Sequence, residues 1–272
     1  MANLLFYTKP AALNKVVHKD TKIKPLGDNY SFARSTNSVI LAGVEFTEAA
    51  KEYPIVFAQA GESVVPVALL GLRNEENLFV HESGNWDARY IPAFVRRYPF
   101  VLAEAGEQNQ RMVCIDEDYA GFDDESGEAL FENDQPTPIL KQAMDFLEEY
   151  QRQYTRTEAF VKRLQEYDLL MSLNAKIDMN DGQQFALQGL LAVDEKKLLQ
   201  LSDDQALEFF RSGELAWLYC HLMSMGCMAS LVDRIAKVSK VETLKKAVEE
   251  GKKAPRKKAG AKPKAKAKAK AD

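Results

Sequence analysis

The chain has 272 residues, enough for one large domain or two small ones, and its 46% hydrophobic content suits a folded body with a sizeable core. The formal charge of −4 conceals a split, because residues 252–272 carry ten Lys and Arg against one acid, +9, which leaves −13 on residues 1–251. The three cysteines (Cys114, Cys220, Cys227) and the brief apolar patch Leu4–Tyr7 exclude a disulfide scaffold and a secretory signal, and so predict free thiols in the cytoplasm.

From Ser38 to Asp118 the chain alternates short apolar runs with turns. Val39–Phe46, Ile55–Ala58, Val64–Leu72, Leu78–His81, Phe100–Ala103 and Met112–Asp116 have the length and β-branched or aromatic content of strands. The segment 73–77 reads as a hairpin loop. Short helices are expected over Thr47–Tyr53 and Ile91–Tyr98, the second with Pro92 in its first turn. Connections this short favour antiparallel neighbours.

Asp116–Pro138 is an acidic loop containing Gly and Pro, and marks an internal boundary. Thr137 and Pro138 then open a long amphipathic helix carrying Leu140, Met144, Leu147, Tyr150, Tyr154, Val161 and Leu164, expected to end near Tyr167–Met171. Asn174–Met179 and Gln184–Val193 flank Asn180-Asp181-Gly182, a hairpin signal. Ser202 to Gln205 has capping-box spacing and begins a helix ending near Gly213. A last helix is expected from Glu214 to about Lys237. The predicted class is α+β, with a β-rich mixed N-terminal half over 1–135 and a helical half over 136–250 with its hairpin at 174–193. A disordered Lys/Ala-rich tail is expected over 251–272.

Several segments resemble the opening of the bacterial SapC family: Tyr30-Ser31-Phe32-Ala33, Val44-Glu45-Phe46, Glu48-Ala49-Ala50 and Tyr53-Pro54-Ile55-Val56-Phe57. Leu70-Gly71-Leu72, Asn77-Leu78-Phe79, Cys114-Ile115-Asp116 and Leu231-Val232-Asp233-Arg234 continue the likeness. Its most specific part runs from Trp86-Asp87-Ala88-Arg89-Tyr90-Ile91-Pro92-Ala93 to Arg96-Arg97-Tyr98-Pro99-Phe100. The resemblance spans roughly residues 4–240 and leaves out the basic tail. It implies association with a bacterial surface layer. Family members also sit beside outer-membrane receptors and flavin-dependent halogenases, which implies uptake of carbohydrate or small molecules. It assigns no catalytic residue. A transporter permease bears the same name, but this chain lacks the repeated spans a permease requires.

Trp86, Arg89, Tyr90, Arg96 and Arg97 form the densest aromatic and cationic cluster. Arginine's planar fork suits a carboxylate or phosphate, while the structural alternative pairs these arginines with Glu45, Glu48 or Glu52 and lays their stems over the core. The loop from Asp116 to Gly121 starts like a calcium loop, but Ala120 and Gly127 stand where the fifth and twelfth ligands belong, so a solvated loop is expected. Cys220, His221, Met225 and Cys227 are soft donors on diverging helical faces, and read as core rather than metal ligands. Leu215–Val232 lacks formal charge over the length of a short membrane span, yet His221, Ser224, Gly226 and Ser230 dilute it, so a buried helix is expected.

No nucleophile elbow, zinc-protease motif, phosphate loop or dinucleotide fingerprint is present, and no metal or cofactor is expected. The reading is a non-catalytic binding or assembly protein. The alternative is an enzyme or enzyme accessory acting on a small molecule or carbohydrate-derived ligand. In the tail, Lys252, Lys253, Arg256, Lys257, Lys258, Lys262, Lys264, Lys266, Lys268 and Lys270 form a polycation suited to nucleic acid or another polyanion.

Overall fold

A computed structural model describes residues 5–24, 27–105, 110–178 and 184–238. The basic tail lies outside the described residues, as does the turn at Asn180-Asp181-Gly182. Met1–Ile235 forms one compact unit, and of the second unit, Ala236–Asp272, only the end of a helix is described.

The class is α+β with antiparallel sheets. In chain order the first half contains β1 (Pro10–Ala12), β2 (Lys22–Ile23), β3 (Ser38–Ile40), α1 (Phe46–Ala49), β4 (Ile55–Ala60) and β5 (Ser63–Leu69). They are followed by α2 (Ala93–Arg96), β6 (Phe100–Ala105) and β7 (Gln110–Asp116). Four two-residue strands follow: β8 (Phe122–Asp123), β9 (Glu128–Ala129), β10 (Phe131–Glu132) and β11 (Gln135–Pro136). The second half has α3 (Pro138–Glu166), β12 (Leu170–Asp178), β13 (Gln184–Val193), α4 (Glu195–Leu198), α5 (Asp203–Ser212), α6 (Glu214–Ser224) and α7 (Cys227–Val238).

The largest sheet runs β12-β13-β4-β5-β3. Its hairpin from the second half joins the first through Leu190 opposite Ala58 and Leu191 opposite Phe57. The sequence boundary at 135/136 therefore falls between elements that share a sheet. Helix α3 covers this sheet by placing Phe160 at the centre of an aromatic cluster. The Phe160 ring meets Phe46 of α1, Phe57 of β4, Phe209 of α5 and Trp217 of α6 at centroid distances of 5.3–6.5 Å. A smaller core under Ile23, Phe100, Ile115, Leu130, Leu140 and Leu147 joins the start of α3 to the sheet β1-β7-β6.

Several expected elements change. The expected strand Val39–Phe46 ends at Ile40, and a 3₁₀ turn over Gly43–Glu45 leads into α1. Glu45 Oε2 accepts the Ala42 N–H at 2.7 Å, and the Gly43 N–H donates to Thr157 Oγ1 at 2.8 Å, so side chains replace the ladder there. Gly43 is required at this point, because a Cβ would overlap the Trp217 ring. Leu78–His81 forms one bridge, Val80 to Trp86, rather than a strand. The expected helix Ile91–Tyr98 shortens to α2, with Pro92 as its N-cap. The acidic loop holds the four short strands. Thr137 precedes α3 as expected, but its hydroxyl donates backwards to the carbonyls of Ala129 (2.7 Å) and Leu130 (3.1 Å) instead of capping the helix.

The Ser202 capping box is formed with Gln205, and α5 ends at Gly213, whose φ of +78° is a conformation that glycine adopts without strain. The expected continuous last helix is broken instead at Met225–Gly226, where α6 and α7 bend by 40°. Glycine disfavours the helix, and Ser224 Oγ donates to the His221 carbonyl at 2.6 Å beside the break. Among the described residues, no single helix is long and apolar enough to cross a membrane.

Candidate functional site

The segment 86–100 leaves β5 by a long loop and crosses the body to β6. Its aromatic residues set its path. Trp86 stacks on Phe79 and meets Tyr30 edge-on, and its indole N–H donates to the Tyr53 hydroxyl at 2.8 Å. That hydroxyl donates in turn to the Tyr90 carbonyl. The Tyr90 hydroxyl donates to Glu45 Oε1 at 2.7 Å, as does the Ala93 N–H. Burial raises the Glu45 pKa, and the Ala93, Ala42 and Tyr90 donors oppose that rise. Arg234 of α7 closes the loop from outside, donating to Asp87 Oδ2 at 2.6 Å and to the Asp87 carbonyl at 2.9 Å.

The five residues singled out from sequence thus divide. Tyr90 and Arg96 come together, with the guanidinium 5.8 Å from the ring and also 5.2 Å from Phe146. Arg89 is exposed, and its backbone N–H donates to Glu52. Trp86 belongs to the Tyr53–Tyr90 chain of hydrogen bonds. Arg97 turns to the opposite side and is only 9% exposed, lying over the Phe94 ring at 3.9 Å and the Tyr150 ring at 5.4 Å. Arg96 and Arg97 rest on aromatic faces, while Glu45 is occupied by Tyr90 and the backbone, and Glu48 by Lys51.

Arg97 stands on the wall of a 660 Å³ cavity bounded by the middle of α3, the β4–β5 hairpin and the β6–β7 pair. Tyr150 and Tyr154, stacked one helical turn apart with centroids at 6.2 Å, line it from α3. Tyr150 is only 7% exposed. Burial pushes the Tyr150 phenol far above its usual range, so it remains a neutral donor. Arg97, Arg111 and Lys162 face Glu62 and Glu158 around this cavity, giving it a net positive lining within an acidic body. Burial raises the Glu158 pKa, and Arg111 opposes it.

Sequence reasoning treated Tyr150 and Tyr154 as parts of an apolar stripe and missed Arg111 and Lys162. The legible signal was the i, i+4 spacing of two phenols on one helix, which sets two hydroxyls side by side.

A more open cavity of 620 Å³ beside His18 is acidic, and two of its polar side chains, His18 and Glu117, pair with each other. His18 Nδ1 accepts the Asn14 N–H, which leaves Nε2 to donate to Glu117 at 3.2 Å, and Lys9 also pairs with Glu117 at 2.8 Å. Asp116, first in the calcium-like loop, is fully buried. It accepts the N–H groups of Thr8 (3.0 Å) and Lys9 (2.8 Å) and the Tyr98 hydroxyl (3.0 Å), fixing the segment ahead of β1.

The soft donors diverge. His221 is fully buried, its Nδ1–H donating to the Ile55 carbonyl at 2.8 Å and its Nε2 accepting the Val193 N–H at 3.0 Å. Cys227 Sγ donates to the Ala50 carbonyl, and Cys220 lies by Thr47. Among the described residues no three His, Cys, Asp or Glu converge to hold a metal ion.

Fold and site together define an α+β protein with a locally cationic cavity built on one long helix. The SapC family model matches residues 13–231, and the chain belongs to the SapC family. No curated protein and no solved structure matches it.

Proposed function

We propose that this SapC-family chain is a non-catalytic binding protein that holds a small molecule in the cavity between α3 and the β4–β5 hairpin. One observation carries the reading: a 660 Å³ cavity whose wall sets the buried Arg97 and the phenols of Tyr150 and Tyr154 among apolar residues such as Ile40, Val65 and Phe94. A pocket that sets a few polar groups among apolar walls suits a small ligand. Ala60 is exposed and lines the cavity mouth, so Ala60→Trp is a blocking variant that spares the core. Native mass spectrometry of protein purified from its own cell is expected to show a retained small molecule that Ala60→Trp loses. Equal retention by the two proteins rejects the cavity as the site.

The tail supports a second, separable role. Ten cations in residues 252–272, without an aromatic residue, suit sequence-independent contact with nucleic acid or another polyanion in the cytoplasm. A duplex presents a phosphate charge about every 1.7 Å, so counterion release drives binding and salt opposes it. Intact protein is expected to bind duplex DNA more tightly than residues 1–251, with the difference shrinking as salt rises. Equal affinities remove the tail from the functional account.

A further inference from the structure

The outer face of α6 departs from that of α3. On α3 the outward positions carry charge, as at Lys141, Asp145, Glu148 and Arg152, the usual pattern for a helix packed on one side. On α6 the packed side is Trp217, Leu218, His221 and Ser224, so Ala216, Tyr219 and Met223 turn outward at helical spacing. Among the described residues nothing covers them: Met223 is 76% exposed and Tyr219 45%. Leu215 and Leu222, half-buried, flank this face. No charged residue occurs from Leu215 to Val232. Glu214, at the start of α6, is buried and bonded to Arg163, and past the bend the exposed Gly226, Ala229 and Ser230 add no charge.

A face of this kind suits the boundary of a lipid bilayer. Tyrosine sits there with its ring among acyl chains and its hydroxyl among headgroups, and an unbranched thioether adapts to an irregular surface. The remaining surface of the −13 body is acidic, repelled by lipid phosphates and costly to desolvate, whereas the α6 face meets neither obstacle. The chain then supplies the attraction that apolar contact lacks. Thirteen residues, 239–251, separate Val238 at the end of α7 from the ten cations of residues 252–272. Thirteen residues span at most about 45 Å, short against the extent of a bilayer, so one bilayer meets both. Apolar insertion and attraction to anionic lipid add in such interfacial binding. A second copy of this chain offers only the apolar half of the match, and brings together two bodies of charge −13 that repel.

Resting on the polyanion reading of the tail above, we infer that the polyanion is an anionic lipid bilayer, with α6 laid on it through Tyr219 and Met223 and the tail cations on its phosphate headgroups. The attachment is peripheral, because Trp217, Leu218 and His221 keep the other side of α6 in the core.

The test is flotation of the full chain with phosphatidylcholine vesicles, pure or containing phosphatidylglycerol, beside titration with duplex DNA. Binding is expected to be at least about tenfold tighter to the vesicles with phosphatidylglycerol, and to weaken as salt rises. Met223→Gln removes the exposed thioether without adding charge. It should weaken vesicle binding several-fold while leaving DNA affinity and the unfolding temperature unchanged, a split that a tail acting alone does not produce. Vesicle binding unchanged by Met223→Gln overturns the part given to α6, and equal binding to the two kinds of vesicle overturns the part given to the tail. No binding to phosphatidylglycerol vesicles overturns the membrane: if DNA still binds in a salt-dependent way the polyanion reading survives, and if neither binds both fail. A dimer in sedimentation that Met223→Gln dissociates, without vesicle binding, gives the face to a second copy and overturns the inference.

Discussion

Trp86 and Arg97 belong to one short segment, yet its two ends treat polar atoms in opposite ways. At the Trp86 end the indole N–H, the Tyr53 and Tyr90 hydroxyls and the Glu45 carboxylate are satisfied by one another and by backbone, and Arg234 bolts the loop shut. At the Arg97 end a guanidinium that also bonds the Tyr7 hydroxyl lines a cavity together with two phenols. A closed network specifies structure, while polar groups on a cavity wall leave room beside them. Position in the most distinctive sequence segment therefore does not by itself mark a ligand residue. The state of the side chain's polar atoms does.

The largest expected effect lies at the closed end. Trp86→Ala removes a stacked ring and leaves the Tyr53 hydroxyl without its donor, and should cost about 3–5 kcal/mol by denaturant titration. A parental midpoint breaks the comparison, because the closed end would then not be holding the segment. His221 comes next, since it obeys the same rule of pairing between α6, β4 and β13. Burial lowers its pKa from 6.5 to about 4, against the opposing pull of the Ile55 carbonyl. The unfolded chain takes up a proton near 6.5 and the folded chain resists it, so this stabilisation is complete above pH 6.5 and is lost as the pH falls toward 4. The loss should approach about 3 kcal/mol. Denaturation midpoints above pH 6.5 and near pH 4 measure it, and His221→Gln should flatten that part of the pH dependence.

Gly43→Ala should cost about 1–3 kcal/mol, because the added methyl displaces the Trp217 ring from the Phe160 cluster. Wild-type stability in this variant would mean that the junction of α3, α6 and the 3₁₀ turn yields readily. The smallest effect sharpens the contrast most. Tyr150→Phe removes one hydroxyl from the cavity wall and keeps the ring, so its stability should stay within about 0.5 kcal/mol of the parent or rise. A loss comparable to that of Trp86→Ala would show that the open end is as structural as the closed one.

Much of the fold was legible because local chemistry fixed it. Helix α3 announced itself by its apolar stripe and Pro138, α5 by the Ser202–Gln205 box and Gly213, and the β12–β13 hairpin by the Asn180-Asp181-Gly182 signal between its strands. The missed features depend on partners far away in sequence. Val39–Phe46 is β-rich by composition, but Glu45 folds back on Ala42, and Thr157, on α3, takes the Gly43 N–H. Thr137 has the right identity for a cap, yet two carbonyls behind it compete for its one proton. For the candidate site, residue types and spacing brought Arg97 forward together with four neighbours, and nothing local separates a guanidinium over Phe146 from one that lines a cavity.

The sequence by itself determined the α+β class, the long helix, the charge split between body and tail, and the resemblance that the SapC match to residues 13–231 bears out. These are sums over local propensity, pattern and composition, and they need no knowledge of what lies opposite. Only the tertiary structure decided that the hairpin of the second half completes the sheet of the first, that His221 is a neutral staple, and that Arg97 shares a cavity with Tyr150. Each of these rests on contacts between residues tens of positions apart. The free energy of such a contact depends on burial and on which polar atoms remain unpaired, and both are set only when the chain has closed on itself.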